Sequence, residues 1–247
     1  MKNTNNKMHE KAVSKAAEMG LASSLTEVED LNVEVQCDPG KIVSGQVETV
    51  EILGEGLVMK QDLRMEKMEV ETEAISINAM RAAIGNIELE EPTAAQLRVI
   101  LTERDITRAF ASDYIHQKLQ KLRVTIDGEP KTLDIQKVDF TLPGKGKIHL
   151  SCNVWVRETG ESKPVAFTAV PQVRSNNHGA TLTDISYGDK RELSPELTAA
   201  LVEKSDDILN LRTFELSGIS LQLENLEVKK GQIKLQAQAY IEEIPTA

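Results

Sequence analysis

The sequence predicts an α+β fold, mostly antiparallel sheet with a few helices. Three features lead there. Apolar residues recur at helical spacing in three segments, the period switches to two between them, and Gly, Pro, Asn and Asp punctuate those runs at hairpin spacing.

The first helical segment, Lys7–Leu25, carries Met8, Ala12, Ala16 and Met19 on one stripe, with Val13, Ala17, Gly20 and Leu21 beside it. The second, Thr102–Leu122, opens on Thr102-Glu103-Arg104-Asp105, an N-cap-like start, and carries Ile106, Phe110, Tyr114, Ile115, Leu119 and Leu122. The third, Ser194–Leu211, opens on Ser194-Pro195-Glu196, a cap followed by Pro at the first helical position, and carries Leu197, Leu201, Ile208 and Leu211. Strands are expected where Leu31, Val33 and Val35 alternate with polar residues, around Met65 and Val70, and at 165–170 and 180–185. Asp38-Pro39-Gly40, Asp127-Gly128, Pro143-Gly144 and Asn177-His178-Gly179 suit the connections.

An internal duplication runs through this pattern. Residues 146–156 (GKIHLSCNVWV) align without a gap on 231–241 (GQIKLQAQAYI). Each places five apolar residues on one face and an aromatic, Trp155 or Tyr240, among the polar residues of the other. A helix with a similar opening precedes each. Related units are therefore expected around 102–156 and 194–241, inside one domain covering 26–247, with residues 1–25 as an N-terminal helix of the same fold.

Composition bounds the task. At 40% hydrophobic and 28% charged, the chain can bury a sizeable core. Four Phe, three Tyr and one Trp make that core aliphatic, with Ala and seven Met filling gaps. The net charge of −10 argues against a broad phosphate-binding surface, and so against nucleic acid as a partner. Residues 26–91 hold sixteen acids against five bases, while Arg104–Arg123 is locally basic, as a solvated helix face or a lipid-headgroup contact would be. The polar start offers no apolar signal region and has Lys2 where a myristoylated chain needs Gly, so a cytoplasmic protein is expected.

No enzymatic signature stands out. The chain lacks G-x-S-x-G, H-E-x-x-H and C-x-x-C, and its four His lie far apart without ligand spacing. Gly144-Lys145-Gly146-Lys147 runs into a strand and reads as a hairpin turn, not a phosphate loop. Cys152 falls on an apolar strand face opposite Ala237 of the repeat, where it packs as a small hydrophobe. Neither catalytic residue, metal site nor resident cofactor is expected.

Four pieces occur in a telling order: Ile42-Val-Ser-Gly-Gln-Val-Glu-Thr-Val50, Ile75-Ser-Ile-Asn78, Leu89-Glu-Glu-Pro92 and Leu101-Thr-Glu-Arg-Asp-Ile106. Together they resemble the bacterial LmeA-like phospholipid-binding family, over roughly residues 25 to 245 and most clearly from 28 to 123. The resemblance implies a tubular lipid-binding-like fold: a strongly curved antiparallel sheet wrapped on long helices, with lipid in an apolar cavity between them. The chain departs from the family pattern at Met59 and Asp62, which stand where a Tyr and a Gly are usual.

The function so implied is non-enzymatic binding, as carrier or sensor, of a phospholipid, fatty acid or similar amphiphile, with peripheral contact to a membrane. The residues assigned to the lining are Ala16, Met19, Ile106, Phe110, Leu197 and Leu201, chosen because they occupy apolar helical stripes. Burying a sixteen-carbon chain supplies about 10 kcal/mol at roughly 0.8 kcal/mol per methylene, before ordering costs. Two other readings use different residues: an interaction module docking a basic partner through the acidic stretch 26–91, and an enzyme acting on a lipid-like substrate. Oligomeric state stays open.

Overall fold

The computed structural model describes residues 2–42, 44–82, 88–187, 195–210 and 218–243. In chain order, α1 (Lys2–Ser24), β1 (Leu25–Glu27), β2 (Asp30–Gln36), α2 (Pro39–Ile42) and β3 (Gln46–Val47) lead into the long strand β4 (Thr49–Met59). There follow β5 (Arg64–Thr72), β6 (Ile75–Ser76), α3 (Ala79–Ala82), β7 (Thr93–Thr102), α4 (Glu103–Ala111) and α5 (Asp113–Lys118). The second half holds β8 (Leu122–Ile126), β9 (Glu129–Gly144), β10 (Lys147–Val156), β11 (Glu161–Val173), β12 (Ala180–Tyr187), α6 (Pro195–Ile208), β13 (Ile219–Lys229) and β14 (Gln232–Ile241).

Alternation in the sequence resolves into two antiparallel sheets. One runs β1-β4-β5-β7-β14-β13, with β2 also on β4; the other runs β12-β11-β10-β9-β8. Helix α6 packs against β12, β11 and β8, so it reaches both edge strands of the second sheet, which is curled around it. The main core fills that curl. Leu133, Leu142, Val154 and Val165 are almost fully enclosed there, with Leu197 and Leu201 of α6 and Ile115 and Leu119 from the α5 side. Val228 of β13 joins the same cluster and links the two sheets.

The helices correct the expectation of a sheet wrapped on long ones. The segment read as one helix over 102–122 is two short pieces of nine and six residues. Ser112 divides them: its backbone is extended (φ −68°, ψ 146°) and its hydroxyl accepts from the Ile115 N–H, capping α5. Lys121 then turns the chain at φ 55°, its N–H held by Asp134. Leu119 and Leu122 stay in the core without being helical together. The third helix spans Pro195–Ile208; Ser194 and Leu211 lie outside the described residues.

The connections follow the sequence with local shifts. Asp127-Gly128 forms a two-residue hairpin loop with both φ values positive, 52° and 79°. The β9–β10 loop is Lys145-Gly146 (φ 58° and 75°), one step beyond Pro143-Gly144, which belong to β9. Asp38-Pro39-Gly40 starts the single turn α2, with the Asp38 carboxylate accepting from the Gly40 N–H. The two aligned stretches are β10 and β14, each the return arm of a hairpin, with Trp155 and Tyr240 pointing outward.

Candidate functional site

One face of the first sheet is apolar across six strands. Cross-strand register aligns Val33, Ile52, Val70, Leu97, Ala237 and Leu223 in a single row. A parallel row runs Leu31, Gly54, Met68, Val99, Leu235 and Leu226. Strands of alternating sequence produce this because every second side chain emerges on the same side. At about 4.8 Å per strand, the face is about 24 Å across; a bilayer acyl chain, half of a hydrocarbon core of about 30 Å, is about 15 Å deep.

The two margins of this face are closed. At one, α1 lays Val13, Ala17 and Leu21 against the cluster of Val33, Val35 and Val47, and the Ser14 hydroxyl accepts from the Val35 N–H at 2.9 Å. At the other, Leu226, Val228 and Ile233 merge into the main core. Between them Met68, Val70, Leu97, Leu221 and Leu235 remain half-buried, over a floor where Gly54, Ala95, Ala237 and Ala239 are buried. Gly54 is required there, since a Cβ would lie 2.5 Å from the Leu57 side chain.

The residues assigned to a lining from sequence fall in two places. Leu197 and Leu201 are buried in the main core, and Ile106 and Phe110 are packed half-buried against it, Phe110 with its ring 6.1 Å from Phe140. Ala16 and Met19 are apart from them, on the exposed side of α1. The structure thus brings four of the six together and leaves two on another surface. The half-buried strip through Met68, Val70, Leu97, Leu221 and Leu235 was not among them. Its signal was present as alternation in β7 and β14, but the strands that complete it are remote in sequence.

Two open clefts border the helices. One of about 500 Å³ lies between the β4–β5 turn and the α4–α5 junction, lined by Lys60, Gln61, Asp62, Ala111, Ser112, Asp113, Tyr114 and Gln117. The other, about 380 Å³, lies between β8 and α6, beside Arg123, Thr125, Ala200, Glu203 and Lys204. Both are polar on much of their lining. The first contains Asp62, which takes a left-handed backbone (φ 60°) and sets its carboxylate 2.6 Å from the Arg108 guanidinium. Arg108 also pairs with Glu27, and Lys118 lies over the Tyr114 ring, so the basic stretch of α4 and α5 is partly engaged within the protein.

The thiols are packing groups. Cys152 is buried in the main core, where desolvation pushes its thiol up to about 12. Cys37 is buried too, and burial, with Glu10, Glu48 and Asp38 nearby, raises its thiol as well. Among the described residues no group of three or more His, Cys, Asp or Glu is placed to hold a metal ion.

Comparison with known proteins places this geometry in context. A family model described as LmeA-like phospholipid-binding matches residues 7–238. No curated protein and no solved structure matches the chain.

Proposed function

Because the chain belongs to the LmeA-like phospholipid-binding family, we propose that it holds a phospholipid or similar amphiphile with its acyl part against the apolar face of the first sheet. The protein acts in this reading as a carrier or sensor, without making or breaking a bond. The observation that carries it is the half-buried strip through Met68, Val70, Leu97, Leu221 and Leu235, set between α1 and the main core. Apolar area left partly wet is where a hydrocarbon chain gains most, at about 25 cal/mol per Å² removed from water. The main core is filled by its own side chains and supports the strip, not the curl around α6, as the acyl site. No helix among the described residues is long and apolar enough to cross a membrane, which suits contact from one side.

The test is native mass spectrometry with lipid extraction on gently purified protein, joined to uptake of a fluorescent phospholipid. Stoichiometric co-purified phospholipid and saturable uptake are expected, with uptake reduced at least about tenfold by Leu97→Asp at unchanged circular dichroism. Absence of both co-purified lipid and uptake contradicts the proposal.

A further inference from the structure

We propose that α1 is a lid on the apolar face of the first sheet, hinged where Ser24 meets Leu25, and that an entering acyl chain displaces it. This rests on the sheet as the lipid site and adds how that site opens. What α1 lays on the sheet matches hydrocarbon in kind and length. Val13, Ala17 and Leu21 stand at four-residue steps and pack on the cluster of Val33, Val35 and Val47. At about 1.5 Å per residue their strip is about 12 Å long, against about 15 Å for a bilayer acyl chain. A lipid chain can therefore replace the contacts that α1 gives up, so exchange of one for the other leaves little apolar area wet.

The attachment of α1 is local. It packs on β2 with β1 beside it, and the cluster beneath it shares no residue with the main core, so α1 can lift without opening the curled sheet. The described hydrogen bond that ties it to the sheet runs from the Val35 N–H to the Ser14 hydroxyl. Other polar groups are satisfied inside the helix: Lys15 pairs with Glu18, and Ser23 and Ser24 donate to the Gly20 and Leu21 carbonyls. Gly20 lies just before the hinge, with no atom within 4 Å of the place its Cβ would take. No close approach requires glycine there, so its effect is to loosen the end of the helix. Pairing is irregular on the other side of the hinge as well, where β1 shifts register against β4 between Leu25 and Glu27.

A reversible lock across the lid tests this. The Ser14 hydroxyl meets the backbone of Val35, so Ser14→Cys with Val35→Cys, in a Cys37→Ala background, places two thiols at that contact. The oxidised protein should take up a fluorescent phosphatidylcholine at least about tenfold more slowly than the same protein after dithiothreitol. A second measurement uses the natural chain: hydrogen exchange of peptides covering Val13–Leu21 should quicken at least about fivefold on loading with that phosphatidylcholine, because a helix lifted from its sheet is marginal in water. Equal uptake in the two redox states, or exchange in α1 that is unchanged or slower on loading, overturns the lid and leaves the sheet as the lipid site. No uptake in either state or by the natural chain removes the lipid site, and the lid with it.

Discussion

The Arg64 guanidinium bonds the fully enclosed carboxylate of Asp105, joining β5 to the first turn of α4. Asp105 also accepts from the Thr102 N–H at 2.8 Å and closes a capping box, so one buried acid serves a helix cap and an inter-element pair. Glu29 and Glu66 flank the same guanidinium, and these hydrogen bonds raise the Arg64 pKa further. Arg64→Met leaves a buried charge without its cation and should cost about 3 kcal/mol in urea unfolding. A loss below about 1 kcal/mol would show that the pair contributes little to joining the strand and helix.

Asp134 gives a pH test. Burial opposes its charge, but the Lys121 N–H and the Arg157 guanidinium outweigh that and hold its carboxylate below the usual range. A depressed folded pKa stabilises fully above the unfolded value, about 3.9, and that stabilisation fades as pH falls through the lower folded value. Asp134→Asn should therefore be less stable than the parent at pH 7, with the gap closing below about pH 4. A gap that is constant with pH would assign the loss to shape instead of charge.

The carboxylate ladder on the outer side of the first sheet is unfavourable locally. Glu34, Glu51 and Glu71 oppose one another on adjacent strands, and like charges so placed destabilise. Glu51→Lys converts two repulsions into attractions and should raise stability by about 0.5–1 kcal/mol, less at high salt. Thermal unfolding at two ionic strengths decides this; a destabilised variant would mean that the ladder is not strained.

Asp62 takes a left-handed backbone (φ 60°), a conformation that suits Gly. Asp is among the few other residues that enter that region readily, and here it gains the Arg108 pair. Asp62→Ala loses both advantages, whereas Asp62→Gly loses only the pair. Ala should be the more destabilising by about 1 kcal/mol in denaturant titrations. Equal losses would place the whole effect in the ion pair.

Much of the fold was legible in local pattern. Leu31, Val33 and Val35 mark β2, and Asp127-Gly128 marks the β8–β9 hairpin, because alternation and turn chemistry act over a few residues. The break at Ser112 was not, since a serine within an apolar stripe becomes a cap only when the chain turns there. Helix α1 has a wide apolar side, from which the sequence pattern pointed to Ala16 and Met19 as lining; contact with β2 instead turns Val13, Ala17 and Leu21 inward. The apolar face depends on pairing β7 with β14, distant strands whose register a one-residue slip would reverse. That information resides in the tertiary fold.

Photo-crosslinking with a phospholipid bearing a diazirine on its acyl chain, mapped by peptide mass spectrometry, bears most directly on the lipid site. Labels are expected on Met68, Val70, Leu97 and Leu235, the half-buried residues between α1 and the main core. Labels confined to the α6 side of the second sheet, or no labelling above that of a denatured control, would contradict the placement of lipid on this face.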